Sequence, residues 1–243
     1  VGIDPTGEKF KEFYPDDVHL ISSFFPTDKL FEIFPNKRAK IITSISMFYD
    51  LEDPLSFVEA ITQTLHRNGI WHLEQSYLPT MLEKKSYDTI CHEHLEYYTI
   101  QSLVNMFEIY DLKIIDIELN DINGGSFALS VAHKDCDAFE INNKRISFFI
   151  DKEKELELKN FEIFHKFSEN TQNHRIKLIQ LLNKLNNDGK KVFGYGASTK
   201  GNVLLQYCGI NNNQIPFISE INKDKYNVYT PGTNIPIISQ SEA

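Results

Sequence analysis

The chain has 243 residues, enough for one large domain or two of ordinary size around a substantial core. Its 25 Lys plus Arg face 34 Asp plus Glu, for a formal charge of −9, and the cations are scattered in small groups such as Lys37-Arg38 and Lys190-Lys191. That excludes a nucleic-acid binder working through a basic face, because neutralising phosphates takes clustered cations.

Val1-Gly2-Ile3-Asp4-Pro5 reads as the end of a short buried strand closed by an acid, the position at which nucleotide-binding α/β folds hold ribose hydroxyls; the plain alternative is an Asp-Pro turn. Val18 to Ile21 predicts another strand, running into Ser22-Ser23-Phe24-Phe25, and Ala39 to Met47 is a β-branched run. Asp53-Pro54 opens a predicted helix through about Arg67, with Leu55, Val58, Ile61 and Leu65 on one face and Asn68-Gly69 as its stop. Ile70 to Glu74 is the next strand, and strand, helix, strand at this spacing makes a parallel α/β sheet the economical arrangement.

Tyr87-Asp88-Thr89-Ile90-Cys91-His92-Glu93-His94-Leu95-Glu96-Tyr97-Tyr98 gathers two imidazoles, flanking carboxylates and three phenols with no clean helical stripe. His94 as a general base near its unperturbed pKa of about 6.5 suits proton abstraction at neutral pH. Cys91, His92 and His94 as metal ligands would ordinarily need a second ligand cluster, and none follows. A loop whose histidines only cap and bridge is the blandest alternative.

A helix is predicted from Ile100 to Tyr110 with Leu103, Phe107 and Tyr110 inward, then two β-rich runs, Lys113 to Leu119 and Ser126 to His133, around Asn123-Gly124-Gly125. A helix and then an antiparallel pair is how a class I methyltransferase sheet ends, so the first half reads as a doubly wound sheet without its opening strand. From Asp151 to Asn187 the composition turns to Lys, Glu, Asn, Gln and Leu at helical spacing, with Phe161, Phe164, Phe167, Ile176, Ile179 and Leu182 as packing positions and Asp151 to Lys159 as a solvated face. Lys191 to Asn202 then runs strand, glycine turn, helix. Its G-x-G-x-x-x-x-G spacing matches neither the dinucleotide nor the P-loop pattern, but backbone amides at a helix amino end favour an anion. Ile215 to Glu220 is a further strand, again closed by an acid. The domain expectation is residues 1–135 as a partial cofactor domain, 136–190 as a helical linker and 191–243 as a Rossmann-like lobe, with the His-Glu-His loop facing the cleft between lobes.

Cys91, Cys136 and Cys208 are isolated, no apolar run approaches the roughly 20 residues that span a bilayer, and no signal peptide precedes the first strand. A soluble, cytoplasmic chain in a reducing compartment is expected.

Five stretches in order, Glu74-Gln75-Ser76-Tyr77, Tyr87 to His94, Asn123-Gly124-Gly125-Ser126, Gly194 to Asn202 and Thr230-Pro231-Gly232-Thr233, give a chain that resembles the S-adenosylmethionine-dependent sugar C-methyltransferases. The resemblance implies a class I methyltransferase-like Rossmann sheet followed by a second α/β lobe, S-adenosylmethionine as cofactor and a nucleotide-linked keto-sugar as substrate, with no nucleic acid or membrane partner. It implies His94 as the base that forms an enolate, with Glu93 and His92 orienting the ring or the sugar. It places Asp4 on the cofactor ribose and Ser23, Phe24, Ser44 and Ser46 around the adenine and methionine. Glu74, Tyr77, Asn123, Gly196, Ser198, Lys200, Asn202 and Glu220 fall to the nucleotide-sugar. The family's zinc module and first glycine-rich turn are not in this sequence, so no metal is expected. Cys91 stands where relatives often have tyrosine, which leaves that phenol's part to a neighbour such as Tyr97. The rivals are an NAD-dependent oxidoreductase, suggested by two strand-end acids and one glycine turn, and a non-catalytic nucleotide-sugar-binding module.

Overall fold

The computed structural model describes residues 1–243, which form two compact units. The first comprises Val1–Gln75, Tyr98–Asn120 and Ser126–Asp151; the second comprises Ser76–Tyr97, Asp121–Gly125 and Lys152–Ala243.

In the first unit, β1 (Gly2–Ile3) and β2 (Leu20–Ile21) pair in parallel. After α1 (Asp28–Ile33) comes β3 (Ala39–Ile45), the predicted β-branched strand. Asp53 starts α2 (Pro54–Thr64): its carboxylate accepts from the Ser56 amide at 3.1 Å, and Pro54 sits in the first turn, where a missing N–H costs no intrahelical bond. The helix does not run to Arg67 as expected. It ends at Thr64, and Leu65 opens β4 (Leu65–Ser76), parallel to β3. Leu65 obeys the helical spacing, yet it is buried as the strand partner of Ala39, after which the register shifts so that Ile41 meets Ile70. Gly69 serves that irregularity rather than stopping a helix: a Cβ there would lie 2.9 Å from the carbonyl oxygens of Ala39 and His66.

From Gly69 on, β4 alternates buried and half-buried, which puts Trp71, Leu73 and Gln75 on one face. It leads into α3 (Leu78–Lys84), which belongs to the second unit. Back in the first unit, α4 (Ile100–Ile109) is opened by a reciprocal Thr99–Ser102 cap and buries Leu103 and Phe107. β5 (Leu112–Asn120) and β6 (Ser126–His133) are antiparallel, and the sheet order is β3-β4-β6-β5. Trp71 is fully buried, with ring centroids 5.3 Å from Phe107 and 5.8 Å from Phe48, and its indole donates to Ser44 Oγ at 3.0 Å. Trp71→Ala there would cost about 3–5 kcal/mol.

Helix α5 (Asn143–Glu155) starts eight residues before the predicted helical run. Asn142 Oδ1 caps it through the Arg145 amide, and the Arg145 guanidinium pairs with Asp116 at 3.0 Å. The long helix α6 (Phe161–Asn187) follows a break, capped by Asn160. Two expectations fail here. Glu153 is not on a solvated face but buried, and Phe161, Phe164 and Ile176 are exposed rather than packed, because the α6 residues that bury are Thr171 and Leu182.

The second unit's sheet is built from β7 (Gly194–Tyr195), α7 (Thr199–Cys208), β8 (Ile218–Glu220), β9 (Val228–Tyr229) and β10 (Pro236–Ser239) in the order β7-β8-β10-β9. β7, β8 and β10 are parallel and β9 is antiparallel. Leu182 of α6 joins Ala197, Leu205, Cys208, Ile210, Ile218, Ile235 and Ile237 in its core. No helix is long and apolar enough to cross a membrane, and the three cysteines are unpaired.

Candidate functional site

In the first unit the predicted residues lie at carboxyl ends of parallel strands, where α/β sheets place ligands. Asp4 follows β1, half-buried, and its Oδ1 accepts from both the amide and the hydroxyl of Thr6 at 2.7 Å. This is the Asp-Pro turn of the plain alternative, and it leaves Oδ2 outside those bonds. Ser23 follows β2 with its amide on the Ile21 carbonyl, and Phe24 is 77% exposed. Ser44 is buried with its hydroxyl accepting from the Trp71 indole, so it faces the aromatic core. Ser46 has a left-handed backbone (φ 52°) and donates its amide to the Glu74 carbonyl at 2.8 Å, which brings the ends of β3 and β4 together. The Glu74 carboxylate takes the Asn120 side-chain amide at 2.7 Å.

Between Glu74 and Ser76, Gln75 is fully buried, and neither polar atom of its carboxamide has a hydrogen-bond partner. Sequence reading gave it no role; an amide on the buried face of an alternating strand was the available signal.

In the second unit Tyr77 is buried and donates its phenol to Glu153 at 2.8 Å. Burial first, and then the Glu153 carboxylate, hold that phenol in its neutral form far above its ordinary range. Glu153 is a partner the sequence did not reveal, since a charge run offers nothing to single out one member.

The His-Glu-His loop leaves a 3-10 turn at Tyr87–Thr89. His92 and Glu93 are exposed and His94 is half-buried. The loop is closed by short-range bonds, Cys91 N to Thr89 O at 3.1 Å and His94 N to Cys91 O at 3.2 Å, with the Tyr97 phenol donating to Thr89 O at 3.4 Å. Burial, then the neighbouring Cys91, raises the Tyr97 phenol above its usual value. No group of three or more His, Cys, Asp or Glu is disposed to hold a metal.

The glycine turn and the Asn123 turn meet directly: Lys200 Nζ donates to Asn123 O at 2.8 Å, and Lys84 pairs with Asp121 at 2.8 Å. Ser198 caps α7 by accepting from the Gly201 amide, which leaves the first-turn amides of Thr199 and Lys200 beyond that cap, and Asn202 Oδ1 is buried without a partner. Gly196, at φ 85°, is exposed beside it. Glu220 is buried, with Oε2 on the Ala197 amide at 2.7 Å and Oε1 on the amides of Ile221 and Asn222 at 2.8 and 3.0 Å. The Asn222 amide first and the Ala197 amide next hold its carboxyl below the ordinary range. Lys225, unmarked in the sequence because it lies 28 residues away, donates to Ala197 O at 2.7 Å and so grips the other end of that residue.

The C-methyltransferase C-terminal domain family matches residues 121–243, and a methyltransferase domain matches residues 1–117. The chain therefore belongs to the C-methyltransferase family. The C-methyltransferase NovU of Streptomyces niveus is 28% identical over 244 residues, covering 100% of this chain and 58% of its own length, so the chain spans little more than half of that relative. Among solved structures, a complex of the Haloferax volcanii Trm112 methyltransferase activator aligns with TM-score 0.43 and 14% identity, over 54% of this chain and 71% of the other. The N-methyltransferase NodS from Bradyrhizobium japonicum aligns with TM-score 0.37 and 10% identity over the same shares. Likeness at that level adds no argument.

Proposed function

We propose that the protein is an S-adenosylmethionine-dependent C-methyltransferase that acts on a nucleotide-linked keto-sugar, with His94 as the base. Support comes from family membership together with one observation: the only histidine of the motif that is drawn out of full exposure is His94, in a loop closed by its own backbone bonds. A carbon becomes nucleophilic when a proton beside a carbonyl is removed, and a half-buried imidazole is suited to take it at neutral pH. His92 and Glu93, both exposed, would orient the sugar or the ring, and Tyr97 closes the loop behind them.

One observation supports the cofactor in the first unit: Asp4 presents an unbonded carboxylate oxygen at a strand end, which suits a ribose diol, with Ser23, Phe24 and Ser46 at neighbouring strand ends. Ser44 would act from behind, by holding Trp71. S-adenosylmethionine bound there supplies an electrophilic methyl group on a sulfonium. In the second unit the free first-turn amides of α7, Ser198, Lys200 and the unpartnered Asn202 Oδ1 suit a diphosphate and its ribose, with Gly196 allowing close approach; Asn123 holds Lys200, and Glu220 holds the turn.

The decisive experiment is His94→Gln, assayed for methyl transfer and for solvent deuterium uptake at the carbon beside the carbonyl of nucleoside-diphosphate keto-sugars. Both are expected to fall about 10²- to 10⁴-fold; retention of both within a few-fold overturns the base assignment. Titration with S-adenosylhomocysteine and with NAD separates this reading from an oxidoreductase, and preference for NAD would overturn it.

A further inference from the structure

We propose that Tyr87 is the positioning residue of the His94 loop: one buried phenol, bonded to α6 and α7, sets where the loop starts and hence where the imidazole is carried. The inference rests on the reading of His94 as the base.

The loop has little apolar anchorage of its own. Ile90 and Leu95, its aliphatic side chains, are 48% and 49% exposed, and His92, Glu93 and Glu96 are exposed as well. What holds its amino-terminal end is Tyr87, buried, whose phenol oxygen lies 3.0 Å from His174 Nδ1 on α6 and 3.5 Å from Cys208 Sγ on α7. Its ring packs 5.1 Å from the Tyr207 ring and 5.7 Å from the His174 ring, and Arg175 stands 5.7 Å over Tyr207. A single side chain thus ties the loop to two helices in three ways: a hydrogen bond to a ring nitrogen, a contact to sulfur and edge-on or tilted ring packing.

From that tie to the base there is almost no slack. Ile90 N donates to Tyr87 O at 3.0 Å, Cys91 N to Thr89 O at 3.1 Å and His94 N to Cys91 O at 3.2 Å, each bond spanning three residues or fewer. A displacement at Tyr87 is therefore passed to His94 rather than absorbed. Burial first, then the Cys208 contact, raises the Tyr87 phenol, so it stays a neutral donor. The other end of α7 is the capped turn with free amides, which puts the candidate diphosphate grip and the loop's anchor on one ten-residue helix.

The test uses Tyr87→Phe, which keeps the ring, and His174→Ala, which removes the ring nitrogen bonded to the phenol. Amide hydrogen exchange of the unliganded protein should show Ile90, Cys91 and His94 exchanging faster in both variants while the amides of α4 and β5 keep their protection. Unchanged protection in the loop, or protection lost throughout, overturns the proposal. Deuterium uptake into a nucleoside-diphosphate keto-sugar, without methyl donor, should slow about tenfold in each variant at unchanged KM, within the roughly hundredfold that a misplacement of about 1 Å can cost. The double variant should lose less than the sum of the two singles, since the phenol–imidazole bond is removed by both while Tyr87→Phe alone also loses the Cys208 contact and His174→Ala alone the ring contact; fully additive losses overturn the proposal. If His94→Gln leaves uptake unchanged, the base reading fails on its own, and the amide-exchange arm still decides whether Tyr87 anchors the loop.

Discussion

Asp4 and Glu220 both close a parallel strand, and strand position alone offers both to a ribose, yet the two strand ends are built in opposite ways. Asp4 is half-buried, and its carboxylate bonds only within its own turn, through one oxygen, to Thr6. Glu220 is buried and uses both oxygens on three backbone amides, one of them 23 residues away in the glycine turn. A ribose hydroxyl arriving at Asp4 meets an open oxygen; at Glu220 it competes with three amides already bonded to a charge. The difference teaches that the carboxylate's remaining hydrogen-bonding capacity, rather than its place at a strand end, separates a ligand-facing acid from one that builds the site.

The largest effect should come from breaking Glu220. Glu220→Ala leaves the Ala197, Ile221 and Asn222 amides without their acceptor, a loss of about 3 kcal/mol in denaturant unfolding if each stranded donor costs about 1 kcal/mol, the low end of the penalty for an unsatisfied polar group. Glu220→Gln keeps an acceptor oxygen and should lose less. The pH dependence has a definite sign: the folded carboxyl sits below its unfolded value of about 4.3, so its stabilisation is complete above that pH and is lost as the pH falls toward the depressed folded value. Unfolding followed between neutrality and pH 3 should therefore show a shallower acid loss in Glu220→Gln than in the parent. Parallel acid limbs would show that the carboxylate is not the tie.

The next effect has the opposite sign. Gln75 carries two orphaned polar atoms at zero exposure, and a near-isosteric apolar replacement removes their desolvation cost. Gln75→Met is expected to raise stability by about 1 kcal/mol. A destabilised Gln75→Met would mean that the carboxamide is satisfied in solution, and that polar atoms are as fully paired at the end of β4 as they are around Glu220.

Much of this was legible in the sequence wherever local chemistry and tertiary packing agree. Asp53-Pro54 starts a helix because cap and fixed φ are properties of the dipeptide; the run from Ile41 to Ile45 is a strand because branched side chains fit a pleat; α4 is legible from Leu103 and Phe107, which fall four residues apart on its buried face. The failures sit where partners are remote. Leu65 has helical spacing but is claimed by Ala39 across the sheet, and Gly69 looks like a stop but answers a close backbone approach. Phe161, Phe164 and Ile176 repeat like a packed stripe on a helix whose burial is confined to a few other positions. In the site, the motif residues could be named, but not what they hold: Glu153 beneath Tyr77, Lys225 on Ala197 and His174 on Tyr87 come from elements whose approach no spacing encodes.

The smallest effect on stability, and the sharpest on the comparison, belongs to Asp4. Asp4→Ala removes two bonds inside an exposed turn, and surface changes of that kind stay within roughly 0.5 kcal/mol. If the open oxygen faces the cofactor ribose, the same substitution should weaken S-adenosylhomocysteine binding about tenfold, the equivalent of about 1.4 kcal/mol, in calorimetric titration at unchanged melting temperature. Affinity and stability thus separate at Asp4, whereas at Glu220 any loss of nucleotide affinity should be accompanied by loss of the fold around the glycine turn. An Asp4→Ala protein that keeps parental affinity would assign the acid to its Thr6 turn alone, and the two strand ends would then differ in burial but not in role.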